Sequence, residues 1–490
     1  MRSCTALRSA STFARGPHDP FNALTAVFPR SEKSEGLLAQ WSVSIKENIC
    51  MQNVPATCSS KFLLDYKSPF DAAVVQHLRN AGAHLTSRTN CDEFGMGGLN
   101  VHSHFGPVAN PAVYEDMQEP DFAKFKPRSP GGSSGGAGAA VRAGLCRVAI
   151  GTDTGGSVRL PASYCGVYGL KPSYGMVSRW GVISYGDSLD HVGIIARSIP
   201  DIRTTLRAIS HDDGRDATCT PAPLRSALEA SNKIKIAQFG KVAQQPLHGL
   251  RVGIPREMFP EEMNPGIADA TDQTLDALQA LGATLIPFDA PSLVHAVGAY
   301  YVLALAEASS SMARFDGMQY GAGTEALATY RETIAANRGA GFGDEVRKRI
   351  LLGTYALTAD AMNSYYMRAK SIRAVLEAQV RGIWSTPDLR STMHLNGQGI
   401  DVVVHPTALQ GAPLLGKPTD AEYAQDVMTV PGNLTGLPVL SAPAHATLRG
   451  SDGARLPIGI SFTAQWGYEH FLLHIVELLQ ARNNVFAQLH

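Results

Sequence analysis

Two glycine- and serine-rich stretches limit most tightly how this 490-residue chain folds: Gly131-Gly-Ser-Ser-Gly-Gly-Ala-Gly138 and Gly151-Thr-Asp-Thr-Gly-Gly-Ser-Val-Arg159. Backbone without a Cβ reaches φ > 0 and lies close against a ligand, so two such loops predict a pocket walled by main-chain N–H groups. An oxyanion suits such a pocket. Val148-Ala-Ile150 reads as a short strand that delivers the second loop at its carboxyl end, where α/β folds place their sites.

The surrounding pattern agrees with that class. Residues 71–82 predict a helix with Ala73, Val74, His77 and Leu78 on one side and Gly82 at its end, followed by an extended segment from Leu85. Leu250-Arg-Val-Gly-Ile254, a helix through Leu275, Leu278 and Leu281, and Thr284-Leu-Ile286 form a strand, helix, strand unit. Ile400-Asp-Val-Val-Val404 is another short strand, and residues 471–479 form an apolar-striped terminal helix. The expected class is α/β with a buried sheet. Residues 114–130, charged and proline-broken, and residues 221–249, polar, read as a surface loop and a linker or insertion.

With 44% hydrophobic and 18% charged residues the chain buries a large core in one large domain or two ordinary ones. Lys plus Arg equals Asp plus Glu, 43 each, which excludes a global basic field for nucleic acid or an anionic membrane. No uninterrupted apolar run approaches the roughly 18 residues of a membrane helix, so no membrane-spanning segment is expected. Seven cysteines without a Cys-x-x-Cys pair argue for a reducing compartment. Residues 1–17 carry Arg2, Arg8 and Arg15 among hydroxyl residues and no acid, the composition of an organellar transit peptide, leaving 18–490 for the folded domain.

Gly131-x-Ser133-x-Gly135 fits a nucleophile elbow, but no apolar strand precedes it, and no Gly-Lys-[Ser/Thr] makes a phosphate loop. The second loop has the better context. N–H groups of Thr154, Gly155, Gly156 and Ser157 converge on an oxyanion there, with Ser157 Oγ as the attacking atom. None of the fifteen histidines sits in an informative setting for its base. A lysine made neutral by burial does the same work, and Lys46 in Val43-Ser-Ile-Lys-Glu-Asn-Ile49 is the candidate; an exposed strand lysine is the plainer reading. No metal site is assigned.

Together, the Lys46 strand, Gly132-Ser-Ser-Gly-Gly136, Asp153-x-Gly-Gly-Ser157-x-Arg159-x-Pro161 and Cys165-Gly-Val-Tyr-Gly-Leu-Lys-Pro172 resemble the amidase-signature family of serine hydrolases. The 24-residue interval between Ser133 and Ser157 fits as well. The resemblance implies a large mixed sheet flanked by helices on both faces, and a Ser-cisSer-Lys triad. Ser157 is then the nucleophile, Ser133 the proton bridge after a cis peptide, Lys46 the base, and Thr154, Gly155 and Gly156 the oxyanion hole.

Thr89-Asn-Cys-Asp-Glu-Phe-Gly-Met-Gly97, Ser188-Leu-Asp-His-Val-Gly193, residues 306–317 and residues 426–438 are most similar to one branch of that family. Its members are glutaminase subunits of tRNA-dependent amidotransferases. The likeness implies glutamine as substrate, with Arg349 for the α-carboxylate, Asp426 for the α-ammonium, and Ser134 and Tyr301 in the pocket; Arg347 stays open as an alternative to Arg349, and Tyr300 to Tyr301. It further implies two partners, the amidotransferase B-subunit and a small third subunit, with tRNA(Gln) bound through the complex. ATP and Mg are then used in the partner, with no cofactor in this chain, and the location is the mitochondrial matrix. A stand-alone amidase with a greasy channel and a scaffold that lost the reaction are the competing readings.

Overall fold

A computed structural model describes residues 19–29, 35–114, 120–323, 327, 329–391, 399–416, 421–482 and 486. The expected leader, residues 1–17, lies outside them. The strands are β1 (Leu24–Val27), β2 (Ser42–Lys46), β3 (His84–Thr89), β4 (Val148–Asp153), β5 (Tyr168–Lys171), β6 (His191–Ala196), β7 (Arg251–Pro255), β8 (Thr284–Phe288), β9 (Val402–Pro406), β10 (Val439–Arg449) and β11 (Arg455–Thr463). They join in one sheet in the order β1-β3-β2-β4-β6-β5-β10-β11-β9-β7-β8. β2 runs parallel to β3 and β4, and β7 to β8 and β9; the other pairs are antiparallel.

Every residue of β4, β5, β6 and β9 is buried. A strand covered on both faces reads as an unbroken apolar run rather than an alternation, which is why Val148-Ala-Ile150 and Val402-Val-Val404 were legible only as short runs. The expected strand, helix, strand unit is present. β7 leads to the helix Pro265–Ala280, whose first turn is capped by the Asn264 side chain accepting from Gly266 N at 3.0 Å, and then to the parallel β8. The helix expected over 71–82 runs Ala73–Asn80, and the terminal helix runs Glu469–Arg482.

Residues 221–249 hold the helix Ala222–Ile236. Only Leu228 and Asn232 are buried along it, a stripe too thin to show in the sequence. Asn232 docks it, donating to Gly467 O at 2.8 Å and accepting from Phe471 N at 3.0 Å. The strands before and after this segment, β6 and β7, belong to one sheet, with β5, β10, β11 and β9 between them, so the sheet does not divide into two lobes here. In the stretch 114–130, Tyr114 is buried and donates to Phe125 O, while buried Arg128 donates to Ala412 O and pairs with Asp452 at 2.8 Å. Residues 115–119 lie outside the described residues. The surface-loop expectation is therefore corrected at Tyr114 and Arg128, which are held inside the fold by these contacts.

One expectation about apolar length is also corrected. The segment Pro291–Met312, 22 residues containing an 18-residue stretch with a mean hydropathy of 1.2, is by length and composition apolar enough to cross a membrane. Its alanines and serines hid it from a search for continuous large apolar side chains. Here Tyr300, Leu303 and Ala304 pack with Leu189, Leu376 and Val430, and Glu307 accepts from the Ser188 amide and hydroxyl.

Candidate active site

β2 lies between β3 and β4, so its last residue, Lys46, is carried into the interior and is fully buried. Its Nζ lies 2.8 Å from Ser133 Oγ, 2.9 Å from Ser134 Oγ, 3.0 Å from Thr152 Oγ1 and 3.4 Å from Thr152 O. Burial pushes the Lys46 amine below the usual lysine value, against the raising pull of Cys91, Asp92, Asp153 and Asp190. The Gly132–Ser133 peptide is cis. Asp92 N–H donates to Ser133 O, and the Asp92 carboxylate accepts from Asn100 N at 2.9 Å and His102 N at 3.0 Å. A Cβ on Gly132 would strike that carboxylate and sit 2.8 Å from Asn100 N, so only glycine fits.

Asp153, the last residue of β4, shapes the loop that carries Ser157. Its carboxylate accepts from Gly156 N at 2.9 Å, Val158 N at 3.1 Å, Arg159 Nε at 3.0 Å and Nη2 at 2.9 Å, and Asn433 Nδ2 at 3.0 Å. Burial alone would raise its pKa; the Arg159 guanidinium outweighs it and holds the carboxyl well below the usual range. Arg159 also donates to Thr429 O at 2.7 Å and Asn433 Oδ1 at 2.6 Å, and Thr429 Oγ1 donates to Gly155 O at 2.5 Å. Thus the helix Asp426–Leu434 grips the loop from its far side. Thr154 Oγ1 donates to Asp190, and Ser134 N–H to Ser157 O at 3.1 Å, which ties the two glycine-serine loops together.

A cleft of about 360 Å³ opens above Ser157, lined by Gly132, Gly155, Tyr185, Tyr300, Arg349 and Asp426 among others. Arg349 and Asp426 arrive from two helices, Asp344–Ala356 and Asp426–Leu434. Arg349 is buried and its Nε donates to Glu345 at 2.8 Å, whereas Arg347 is half exposed and pairs with Asp344 away from the cleft. Tyr301 donates to Asp426. The cleft therefore offers a cation and an anion on the walls of one small space that also holds the Ser157 hydroxyl.

Comparison with known proteins agrees with this geometry. The family model Amidase matches residues 22–473. This chain belongs to the amidase family. The amidase is 44% identical over 500 residues to the mitochondrial glutamyl-tRNA(Gln) amidotransferase A-subunit of Mycosarcoma maydis, across 98% of this chain and 92% of that one. It is 41% identical to the protein of the same name from Ajellomyces capsulatus, across 89% and 88%. Among solved structures, the glutamyl-tRNA(Gln) amidotransferase A-subunit from Thermotoga maritima matches with a TM-score of 0.72 at 30% identity, across 96% of this chain and 90% of that one.

Two details of the amidase site depart from expectation. Ser134, expected to bind substrate, turns its hydroxyl to Lys46 and to Thr152 O at 3.1 Å and does not line the cleft. The Gly156 N–H, expected to face an oxyanion, is spent on Asp153. Tyr300 lines the cleft beside Tyr301, and a Cβ on Gly155 would collide with its hydroxyl.

Other groups of the amidase site carried little signal in the sequence. Tyr185 and Tyr423 complete an aromatic wall, with Tyr423 5.5 Å from Tyr301 ring to ring and its hydroxyl 3.3 Å from Glu345. Glu93, buried and raised in pKa by that burial, accepts from Gly343 N at 2.8 Å and so anchors the start of the Arg349 helix. Only Glu93 was foreshadowed, through its place in the 89–97 motif.

Proposed function

We propose that this chain is the glutaminase subunit of a mitochondrial glutamyl-tRNA(Gln) amidotransferase, hydrolysing glutamine through a γ-glutamyl ester on Ser157. The carrying observation is the buried Lys46 amine 2.8 Å from Ser133 Oγ, beneath a cleft that joins Ser157, Arg349 and Asp426. The names of the relatives support the same reading. Arg349 pairs with the α-carboxylate of glutamine and Asp426 with its α-ammonium, which aims the carboxamide at Ser157. Ser157 Oγ attacks the amide carbon while its proton passes to Ser133, whose own proton passes to Lys46. No hydrogen bond joins the two serine hydroxyls among the described residues; such bonds tighten when substrate is bound.

The oxyanion is held by the remaining N–H groups of the loop, Thr154, Gly155 and Ser157. Lys46 returns its proton through Ser133 to the leaving nitrogen, ammonia departs, and water cleaves the ester to release glutamate by the same relay. This chain needs no cofactor for these steps. The B-subunit partner receives the ammonia, uses ATP and Mg to activate the tRNA-bound glutamate, and holds tRNA(Gln) with a small third subunit, all within the matrix.

Two measurements test the reading. Mass spectrometry of the enzyme quenched under glutamine is expected to find an acyl adduct on Ser157; an adduct on Ser133 would reverse the two serine roles. Arg349→Ala and Asp426→Ala are each expected to raise KM for glutamine by about tenfold or more, the scale of one charge-assisted contact. Unchanged turnover in both variants, with activity on uncharged amides instead, would mark a stand-alone amidase.

A further inference from the structure

Among the described residues near Lys46, the buried Asn48 Oδ1 and Thr89 Oγ1 lack partners, and the first lies on the Thr152 side. Asn48 is 4% exposed; its Nδ2 lies 3.0 Å from Thr152 Oγ1, and its Oδ1 makes no hydrogen bond. The same Thr152 oxygen already accepts from Lys46 at 3.0 Å. In that arrangement the hydroxyl receives two donors while its own proton has no acceptor among the described residues. Amide oxygen and nitrogen differ only by assignment, and a buried acceptor left unpaired costs about 1–3 kcal/mol. Exchanging the two gives the Thr152 proton to Asn48 Oδ1 as its acceptor and places the amide nitrogen where the oxygen stood.

We propose that Asn48 is a positioning residue for the base, acting through Thr152. The inference rests on the reading of Lys46 as that base. A neutral amine has two hydrogens and one lone pair. Ser134 Oγ gives its own proton to Thr152 O, so toward Lys46 it acts as an acceptor. Thr152 Oγ1, its proton held by Asn48, is an acceptor as well. With Ser134 Oγ and Thr152 Oγ1 taking the two Lys46 hydrogens, the lone pair is left facing Ser133 Oγ at 2.8 Å; Thr152 O, at 3.4 Å, is the longest of the four contacts. Without Asn48 the Thr152 hydroxyl turns and donates to Lys46, capping the lone pair that Ser133 needs.

The test is glutamine hydrolysis by the full chain in its complex, measured against pH. The acid limb reports Lys46, which Cys91, Asp92, Asp153 and Asp190 also face. Asn48→Ala is expected to lower plateau kcat about tenfold, a fraction of the roughly 10²–10⁴-fold of general-base assistance, with KM within about twofold. Its acid limb moves to lower pH, because the neutral amine is newly capped. Asn48→Asp keeps an acceptor for Thr152 and adds a negative charge, so its plateau stays within about threefold of wild type and its limb moves to higher pH.

In a Thr152→Val background, Asn48→Ala is expected to cost nothing further. Losses that add in the double variant, or equal losses in Asn48→Ala and Asn48→Asp with unmoved limbs, would overturn the proposal. Lys46→Ala separates this from the parent reading. If it retains wild-type turnover, the base assignment and the Asn48 role fall together; if it is dead while the cycle is additive, only the Asn48 role falls.

Discussion

Replacing Ser157 with alanine is expected to reduce glutamine hydrolysis by roughly four orders of magnitude or more and to abolish the acyl adduct, with glutamine still bound by Arg349 and Asp426. The expected loss is large because no second serine hydroxyl lies in its place; Ser133 and Ser134 both face Lys46. Lys46→Ala is expected to cost a similar factor, and the double variant little more, since base and nucleophile act as one unit. Lys46→Arg will not rescue, because a guanidinium stays protonated. In the wild type, the rate is expected to climb with pH to a plateau as the amine loses its proton. Burial lowers the Lys46 pKa, so the midpoint falls below the ordinary lysine value near ~10.4. Residual turnover by Ser157→Ala within tenfold of wild type would require another nucleophile.

The second large effect is on stability. Asp153→Ala leaves the Arg159 guanidinium, 1% exposed, without its carboxylate, and a buried charge stripped of its partner costs about 3–5 kcal/mol. The loop also loses the acceptor for Gly156 N and Val158 N, so activity falls with stability. The pH dependence has a definite sign. Asp153 has a folded pKa below its unfolded value of about 3.9, so its contribution is fully present above that value and is lost as pH falls through the folded one. Chemical denaturation of wild type and Asp153→Asn is expected to show a constant gap from neutral pH down to about 4 and a shrinking gap below it. A gap that widens in acid would mean that the carboxylate is not stabilised in the fold.

The candidate site was legible in the sequence where its chemistry is local. Glycines at 131–136 and 155–156, hydroxyls at 133 and 157, and a lysine ending an apolar strand are adjacent to the backbone features they need. The β7, helix, β8 unit was legible for the same reason, because a period of two and a period of 3.6 follow one another within one segment. The helix Ala222–Ile236 was not legible, because a polar helix docked through two residues has almost no apolar stripe. The helix around Tyr300 escaped in the opposite way, its small residues concealing an apolar surface.

The cleft itself depends on long-range pairing. Arg349 and Arg347 are equivalent in sequence, and only the orientation of the helix Asp344–Ala356, tied at Gly343 to Glu93, turns one inward and the other out to Asp344. Tyr185 and Tyr423 come from segments far apart along the chain. Sequence by itself determined the α/β class and the family and nominated the two serines and the lysine, because each is written in contiguous residues. Tertiary structure alone decided that Ser134 serves Lys46 rather than substrate, that the Gly156 N–H belongs to Asp153, and that Asn48 stands behind Thr152. Those assignments are matters of which donor meets which acceptor, and folding settles that only when buried polar groups from separate strands must satisfy one another.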